Sequence, residues 1–520
     1  MIQIKTNFHK LLFILLTTLF YSNNLSAQIE GANLFSIDQV VNIELDFPQS
    51  DFWSQLEDNY TNMDVNGSIY IPANLTLTDV TGTYTFDSVG VRLKGNSSYG
   101  HPGDKKSFKI DFNKFISGQN YDGIKKLNFS NGFKDPTFMR EKLFFDVCRI
   151  HGVPAPRTNF TTVTYNGEPW GFYTLVEQLD DQFLDWRMLD DGGNLFKAGS
   201  NFSGGDGEAS LEYLGSAQSA YESSYELKSN ENANDWTDLI EFIDFINNTN
   251  DSEFETNLAS HIDLGPFLSS AALDNLFGNL DSYTQSARNY YLYHNLGMDK
   301  WQWIKWDGNE AFGSYGFMGP LNPSNLDIYY YASNRPLLER VFASQALKSQ
   351  YTSEVCLLIS TIFNPDYLNP MIDDLKELIK NDVYADNNKM FSNADFDTNI
   401  ETDLSGGGGG PGPGGSIEGL KSFIQERYNY LTTAVDCEPY AGIESVSLQE
   451  LSIYPNPGTS LLSIKGIQSY PCPYVLKGLD GGVIESKILF GSEQFIDVSE
   501  LESNLYFLDV DGHVLKLIKP

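Results

Sequence analysis

Asp281, Asn289 and Asp307 carry the carboxylate and amide oxygens that suit a hard divalent cation. Asp307 ends an alternating apolar run, "KWQWIKWD", and opens into Gly-rich chain with Asn309 and Glu310 just behind it. An acid in that position is either a solvated turn residue or a metal-binding carboxylate at the lip of a cleft. Upstream, "VGVRLKGNSSYG" reads as a strand that breaks into a Gly/Ser loop. The main-chain N–H groups of such a loop can approach phosphate, with Arg92 and Ser97 in the same block. Lys106 opens the next strand and is the first choice for a phosphate-binding lysine. Lys109 is the alternative, because a one-residue register shift exchanges the faces. Glu141 lies on a following helix, where it could hold that lysine by an ion pair. A hairpin then ends in "LVEQL", and the backbone of Glu177 and Gln178 could meet a flat base edge.

The order is Gly-containing loop, strand Lys, helix Glu, hinge, Asp with Asn, then a second Asp. It matches a phosphoryl-transfer site of the protein-kinase type. Asp281 would take the proton of an attacking hydroxyl, and Asn289 and Asp307 would hold Mg²⁺ or Mn²⁺ against ATP. Each residue also has a structural reading. Lys106 could be a sheet-edge charge, Glu141 a helix-surface partner, and the aromatic runs core strands. The chain has no GxGxxG after Gly95, no HRD and no DFG.

The elements that must position these groups come from a chain of 520 residues, 41% of them apolar, enough for more than one domain. With 34 basic against 69 acidic residues the net charge is −35, which argues against nucleic acid and anionic membranes as partners. Residues 1–27 read as a signal peptide: Lys5 and Lys10 precede the apolar run "LLFILLTTLFY". No later segment is apolar enough for a transmembrane span, so the mature protein is expected to be secreted or at the cell surface, via the periplasm. The four cysteines are scattered without a CxxC pair, which speaks against a zinc site. Cys148 reads as a buried thiol, and Cys356 with Cys437 as one possible bridge.

Strands are expected over Asp87–Leu93 and Lys105–Phe112, a helix over Pro136–Gly152 with Pro136 at its first position, and an Asn-Gly hairpin over Thr158–Leu179. Further helices follow at "DWTDLIEFIDFINN" and "LGPFLSSAALDNLFGN", a second hairpin at "NYYLYHN" and "KWQWIKWD", and helices within Pro336–Phe363 and Pro370–Val383. The Gly/Pro tract 405–415 reads as a loop inside the large domain, because the amphipathic helix after it is too short to be a domain. From about Gly442 short alternating strands suggest a small C-terminal β-sandwich. The expected fold class is α+β, with residues 28–441 as the main domain and 442–520 as the second.

Several blocks, in order, sharpen this: "VGVRLKGNSSYGHPGDKKSFKIDF", "FMREKLFFDVCRIHGVPAPRTNF", "YNGEPWGFYTLVEQLDDQFL", "NLFKA", "NLDSYTQSARNYYLYHN" and "WDGNEAFG". Over roughly Leu34–Ala434 the chain resembles the spore-coat protein H (CotH) kinase family. The resemblance implies an atypical protein-kinase-like domain that moves phosphate from ATP to Ser or Thr of a protein substrate. By position, the family's catalytic Asp falls on Asp281 and its metal ligands on Asn289 and Asp307. Two departures stand out. The family's W-D-x-D is Trp306-Asp307-Gly308-Asn309 here, and "TQSAR" lengthens the stretch between Asp281 and Asn289. They motivate the alternative of a catalytically inactive surface protein acting in binding or assembly. A secreted glycosidase has only the abundance of carboxylates and aromatics behind it. "LSIYPNPGTSLLSIKG" and "LYFLDVDGHVLKLIKP" resemble the C-terminal sorting domain of type IX secretion found in Bacteroidetes, which implies that export machinery as a partner.

Overall fold

The computed structural model describes residues 30–35, 38–63, 67–188, 190–199, 208–315, 321–405 and 416–437. Of the C-terminal segment it describes 452–454, 461–465, 467, 472–478, 483–489, 495–498, 501, 504–510 and 513–519. Residues 1–27, read above as a signal peptide, the Gly/Pro tract beyond Ser405 and the expected boundary near Gly442 lie outside the described residues. Among the described residues no helix is long and apolar enough to cross a membrane. The chain divides into a unit over Gly31–Val446 and another containing Ser447–Pro520.

The larger unit begins with a short helix α1 (Ala32–Phe35), then β1 (Val40–Asp46), α2 (Phe52–Thr61), β2 (Ile71–Asp79), β3 (Gly82–Leu93), β4 (Phe108–Asp111), β5 (Lys126–Ser130), α3 (Arg140–Ile150), β6 (Thr158–Tyr165) and β7 (Glu168–Glu177). The seven strands close into a barrel of order β1-β2-β3-β4-β5-β7-β6, sealed by parallel pairing of β1 with β6. Alternation of side chains decides what each face does. Val91, Leu93, Phe108, Ile110, Leu127, Phe129, Tyr173 and Leu175 fill the interior, where Phe108 stacks on Phe129 at 4.1 Å between ring centroids. The intervening residues Arg92, Lys109, Asn128, Thr174 and Val176 face outward into a cleft.

Two local expectations shift. The strand expected from Lys105 begins only at Phe108, because Lys105 is drawn into a buried ion pair with Asp386 at 2.6 Å. Helix α3 starts at Arg140, not Pro136. The Asp135 carboxylate accepts the N–H groups of Thr137 (2.9 Å) and Arg140 (3.0 Å) and so sets the start. Phe138, at φ +59°, turns the chain just before it. At the other end, Gly152 takes φ +75° where a helix stop was expected. Asn166 and Gly167, at φ +49° and +81°, make the β6–β7 turn as the Asn-Gly pair predicts.

Beyond α4 (Asp181–Met188), strands β8 (Leu195–Ala198) and β9 (Tyr225–Leu227) join the hairpin described below. Helices α5 (Thr237–Asn248), α6 (Asp251–His261) and α7 (Leu264–Leu276) come between them. The hairpin is β10 (Tyr290–Asn295) and β11 (Lys300–Lys305), and the sheet order is β11-β10-β8-β9. α6 escaped sequence notice because Phe254 and Leu258 alone of its side chains are buried, too few to give a period. The remaining helices are α8 (Pro336–Ala343), α9 (Gln345–Thr361), α10 (Pro365–Ala385), α11 (Asn393–Glu401) and α12 (Leu420–Ala434). α10 starts five residues before the expected Pro370, since the Asn364 side chain caps it through the N–H of Tyr367. α12 packs back onto this unit: Arg427, fully buried, donates to the Leu326 carbonyl (2.5 Å) and to Asn275 Oδ1 (2.7 Å). A disulfide joins Cys356 to Cys437, and Cys148 is a buried free thiol.

The C-terminal segment contains β12 (Ser452–Tyr454), β13 (Leu461–Lys465), β14 (Cys472–Lys477), β15 (Val483–Leu489), β16 (Phe495–Asp497), β17 (Asn504–Val510) and β18 (His513–Lys519). They form antiparallel sheets of order β12-β13-β16 and β15-β14-β17-β18. Leu462, Ile464, Tyr474, Leu476, Leu508 and Leu517 share one core. The whole is a mixed α/β protein with one large barrel sheet.

Candidate functional site

A cleft of about 490 Å³ separates the outer face of β3, β4, β5 and β7 from the β8–β11 sheet and the loops after α7 and β11. Asp281, Asn289 and Asp307 all line it, together with Arg92, Ser97, Glu141 and Gln178. Residues far apart in sequence are thus brought to one hollow. Two predicted residues are not. Lys106 turns away, its ammonium donating to the carbonyls of Tyr99 and His101, each at 2.8 Å. Glu177 is buried behind the wall, its carboxylate taken by Arg157 at 2.6 Å and Arg187 at 3.6 Å. That double pairing holds its carboxyl down at about 2 against the opposing effect of burial. Gln178 is at the cleft, where its Oε1 accepts from Lys109 (2.7 Å) and Asn128 (3.0 Å).

The group facing Glu141 is Lys94, two residues past Arg92 on the same strand face. Its ammonium lies 5.4 Å from the centroid of the Trp306 ring. Burial pushes it down to about 8, while the charges of Glu141 and Asp307 pull the other way. Glu141, on the first turn of α3, is pushed up to about 7, first by burial and then by Asp307; Lys94 and a hydrogen bond with Ser130 oppose this. The period-two rule could have found Lys94: if Arg92 faces the phosphate, so does Lys94. Lys197, at the fourth position of "NLFKA", is the other cation felt by Asp307.

Both predicted metal-ligand residues sit in left-handed backbone, Asn289 at φ +60° and Asp307 at φ +55°. Non-glycine residues in that region mark positions that the surroundings over-determine. "TQSAR" forms a turn in which Ala287 also takes φ +53°. It returns Asn289 to Asp281, to which its amide donates. Asp281 is raised above the usual carboxylate range by burial, against hydrogen bonds and charges from Ser286, Arg288, Lys134 and Asn289. Asp307 is raised by burial and by the charge of Asp281. Glu310 also lines the cleft, is pushed up to about 7 by burial and by Asp281, and is held by Lys134 at 3.0 Å.

Under both acids lies a buried pair that sequence reasoning did not single out. Lys305, the last residue of β11, meets Asp274 of α7 at 2.5 Å. The other oxygen of Asp274 accepts from Asn279 at 2.7 Å, and the Asn279 carbonyl accepts from Ser282 at 2.6 Å. The turn carrying Asp281 and the strand end carrying Asp307 are therefore braced on one ion pair.

This donor set fits a hard cation: Asp307, whose proton affinity is raised by burial and by the charge of Asp281, would be relieved by a positive charge between the two carboxylates. Among the described residues no three His, Cys, Asp or Glu side chains converge as a metal cage. The fit is to a cation shared with ligand phosphates, the usual habit of Mg²⁺.

A family model described as CotH kinase protein matches residues 91–431, a span that contains every cleft residue named above. The chain is also similar to "Inner spore coat protein H" of Bacillus subtilis, 25% identical over 286 residues, covering 54% of this chain and 74% of that protein. A second relative is "Spore coat protein homolog 1" of Rhizopus delemar, 21% identical over 277 residues, covering 52% of this chain and 44% of that protein.

Proposed function

Since the chain belongs to the CotH kinase protein family, we propose that it is an atypical protein kinase. It transfers the terminal phosphoryl group of ATP to a Ser or Thr hydroxyl of an exported or surface protein. The observation that carries this reading is the convergence of Asp281, Asn289 and Asp307 on one cleft that Lys94 also lines. On this reading the barrel and the helical layer act as the two lobes of a kinase-like fold.

Asp281 accepts the proton of the acceptor hydroxyl as its oxygen bonds to phosphorus and the bond from phosphorus to the departing ADP oxygen breaks. Asn289 aims that carboxylate through its amide. Lys94, with Glu141 behind it, offsets charge on the phosphates, and Lys197 adds to this from the opposite sheet. A divalent cation held by Asp307 and Asn289 would neutralise further phosphate charge. Holding and neutralising the phosphates supplies most of the rate for a loose transfer.

The reading of residues 1–27 as a signal peptide and the resemblance of the segment after about 442 to a sorting domain support export through the type IX route, with the work done outside the cell. A second reading, binding without transfer, is favoured by Asn309, which lines the cleft where the family pattern has a carboxylate. Purified protein with Mg²⁺ or Mn²⁺ and terminally labelled ATP separates the two. Label transfer to itself or to exported proteins, lost at least a hundredfold in Asp281→Asn and Asp307→Asn, supports the kinase. An ATP-induced rise in melting temperature without any transfer supports the second reading.

A further inference from the structure

The wall of the cleft carries more positive charge than Lys94 alone. In the β3–β4 register Arg92 pairs with Lys109, and Lys109 pairs in turn with Asn128 of β5. These residues form a row across the sheet, two residues along from Lys94, whose N–H donates to the Ser107 carbonyl at 2.9 Å. At about 3.4 Å per residue the two rows are about 7 Å apart. The inner row faces Asp307; the outer row lies beyond it, toward Gln178.

The outer row lacks counter-charge. Among the described residues neither Arg92 nor Lys109 is in an ion pair. Arg92 Nε is buried without a hydrogen-bond partner there, and its Nη1 reaches only the neighbouring Leu93 carbonyl at 3.1 Å. The Lys109 ammonium donates to a neutral amide oxygen of Gln178. The nearby acid, Asp180, is already paired with Lys126 at 3.1 Å. Burial, then Arg92, Lys126 and Lys94, hold Lys109 well below the usual lysine range. In a chain of net charge −35, two adjacent half-buried cations with no acid of their own are costly unless a ligand supplies the anion.

We propose that Arg92 and Lys109 form a second anion subsite, which holds a phosphate group of the donor's polyphosphate chain at the end remote from Asp307. This rests on the reading of the cleft as a phosphate-donor site. It makes the cleft selective for ligands whose anionic groups span both rows.

The test is titration calorimetry with inorganic tripolyphosphate and, separately, ATP, each with Mg²⁺. The proteins are the wild type, Arg92→Met, Lys109→Met and Lys126→Met. Lys126 is a neighbouring cation that does not line the cleft, so it reports the general field. Tripolyphosphate is expected to bind the wild type and compete with ATP. Arg92→Met and Lys109→Met should each weaken tripolyphosphate at least tenfold, with less than a twofold effect from Lys126→Met. Without ligand, Lys109→Met should melt no lower than the wild type, because a desolvated cation has been removed from among like charges. If the two variants bind tripolyphosphate like the wild type, or Lys126→Met loses as much, the subsite is refuted while the donor reading stands. If the wild type binds neither ATP nor tripolyphosphate, the donor reading fails and takes the subsite with it.

Discussion

The side-chain amide of Asn289 donates to Asp281 twice, to its main-chain carbonyl at 2.9 Å and to its carboxylate Oδ2 at 3.0 Å. One residue thus fixes both the turn and the aim of the acid. Asn289 does so from φ +60°, a conformation that costs an alanine roughly 1–2 kcal/mol. Asn289→Ala should therefore lose stability and phosphoryl transfer together. Asn289→Gly tolerates the backbone but lacks the amide, so it should keep more of the stability and still lose transfer at least tenfold. Melting curves beside labelled-phosphate rates check this, and a glycine variant with the wild-type rate would reduce Asn289 to a backbone role.

The Asp274–Lys305 pair makes a stability prediction tied to the site. Both side chains are buried, and the Lys305 ammonium also donates to the Ser270 carbonyl at 2.9 Å. Lys305→Met leaves a carboxylate without its cation and should cost about 3–5 kcal/mol in urea unfolding. The double change Asp274→Leu with Lys305→Met removes both charges and should recover part of that loss. It should not recover transfer, because Asn279 and the turn carrying Asp281 have lost their anchor. A single variant costing under about 1 kcal/mol would mean the brace is unimportant.

Glu141 makes stability depend on pH. Its carboxyl is pushed from the ordinary 4.5 up to about 7, first by burial and then by Asp307. Between those values the folded protein binds more protons than the unfolded chain, so this residue's effect lowers stability as pH rises through the window. Above about pH 7 the penalty is complete, on the order of 3 kcal/mol. Glu141→Gln should flatten the melting temperature from pH 4.5 to 7 and raise it at pH 8. An unchanged slope in the variant would assign the dependence to other groups, Glu310 first.

Local pattern carried much of this architecture. The alternation in "VGVRLK" and "WQWIKWD", the Asn-Gly turn and the final amphipathic helix all reappear as elements. Asp307 stood out at the end of an alternating strand, whereas Asp281, in the loop after α7, and Asn289, just before β10, were singled out by their order in the chain and by the family resemblance. What local pattern could not show was competition between distant groups. Lys105 and Lys106 open a run that reads as strand, yet Asp386, 281 residues away, claims one ammonium and the carbonyls of Tyr99 and His101 hold the other. Arg157 likewise holds Glu177, taking its carboxylate and accepting its main-chain N–H at 2.9 Å. Barrel closure by β1 and β6 is also long-range, and neither strand marks it in sequence.

Which lysine meets the phosphates is the point on which sequence and structure differ most usefully. Lys94 lines the cleft, faces Glu141 and Asp307, and is lowered to about 8 chiefly by burial. Lys106 donates to two carbonyls of its own loop. A ligand at a hundred times its dissociation constant stabilises the fold by about 2.7 kcal/mol. At one fixed ATP and Mg²⁺ concentration, Lys94→Met should abolish most of the ATP-induced rise in melting temperature. Lys106→Met should keep that rise in full, even if the loop it ties down makes the variant melt lower without ligand. The reverse result would mean that the loop from Tyr99 to Lys106 rearranges to present Lys106 to the nucleotide, and Lys94 would then serve only as the partner of Glu141.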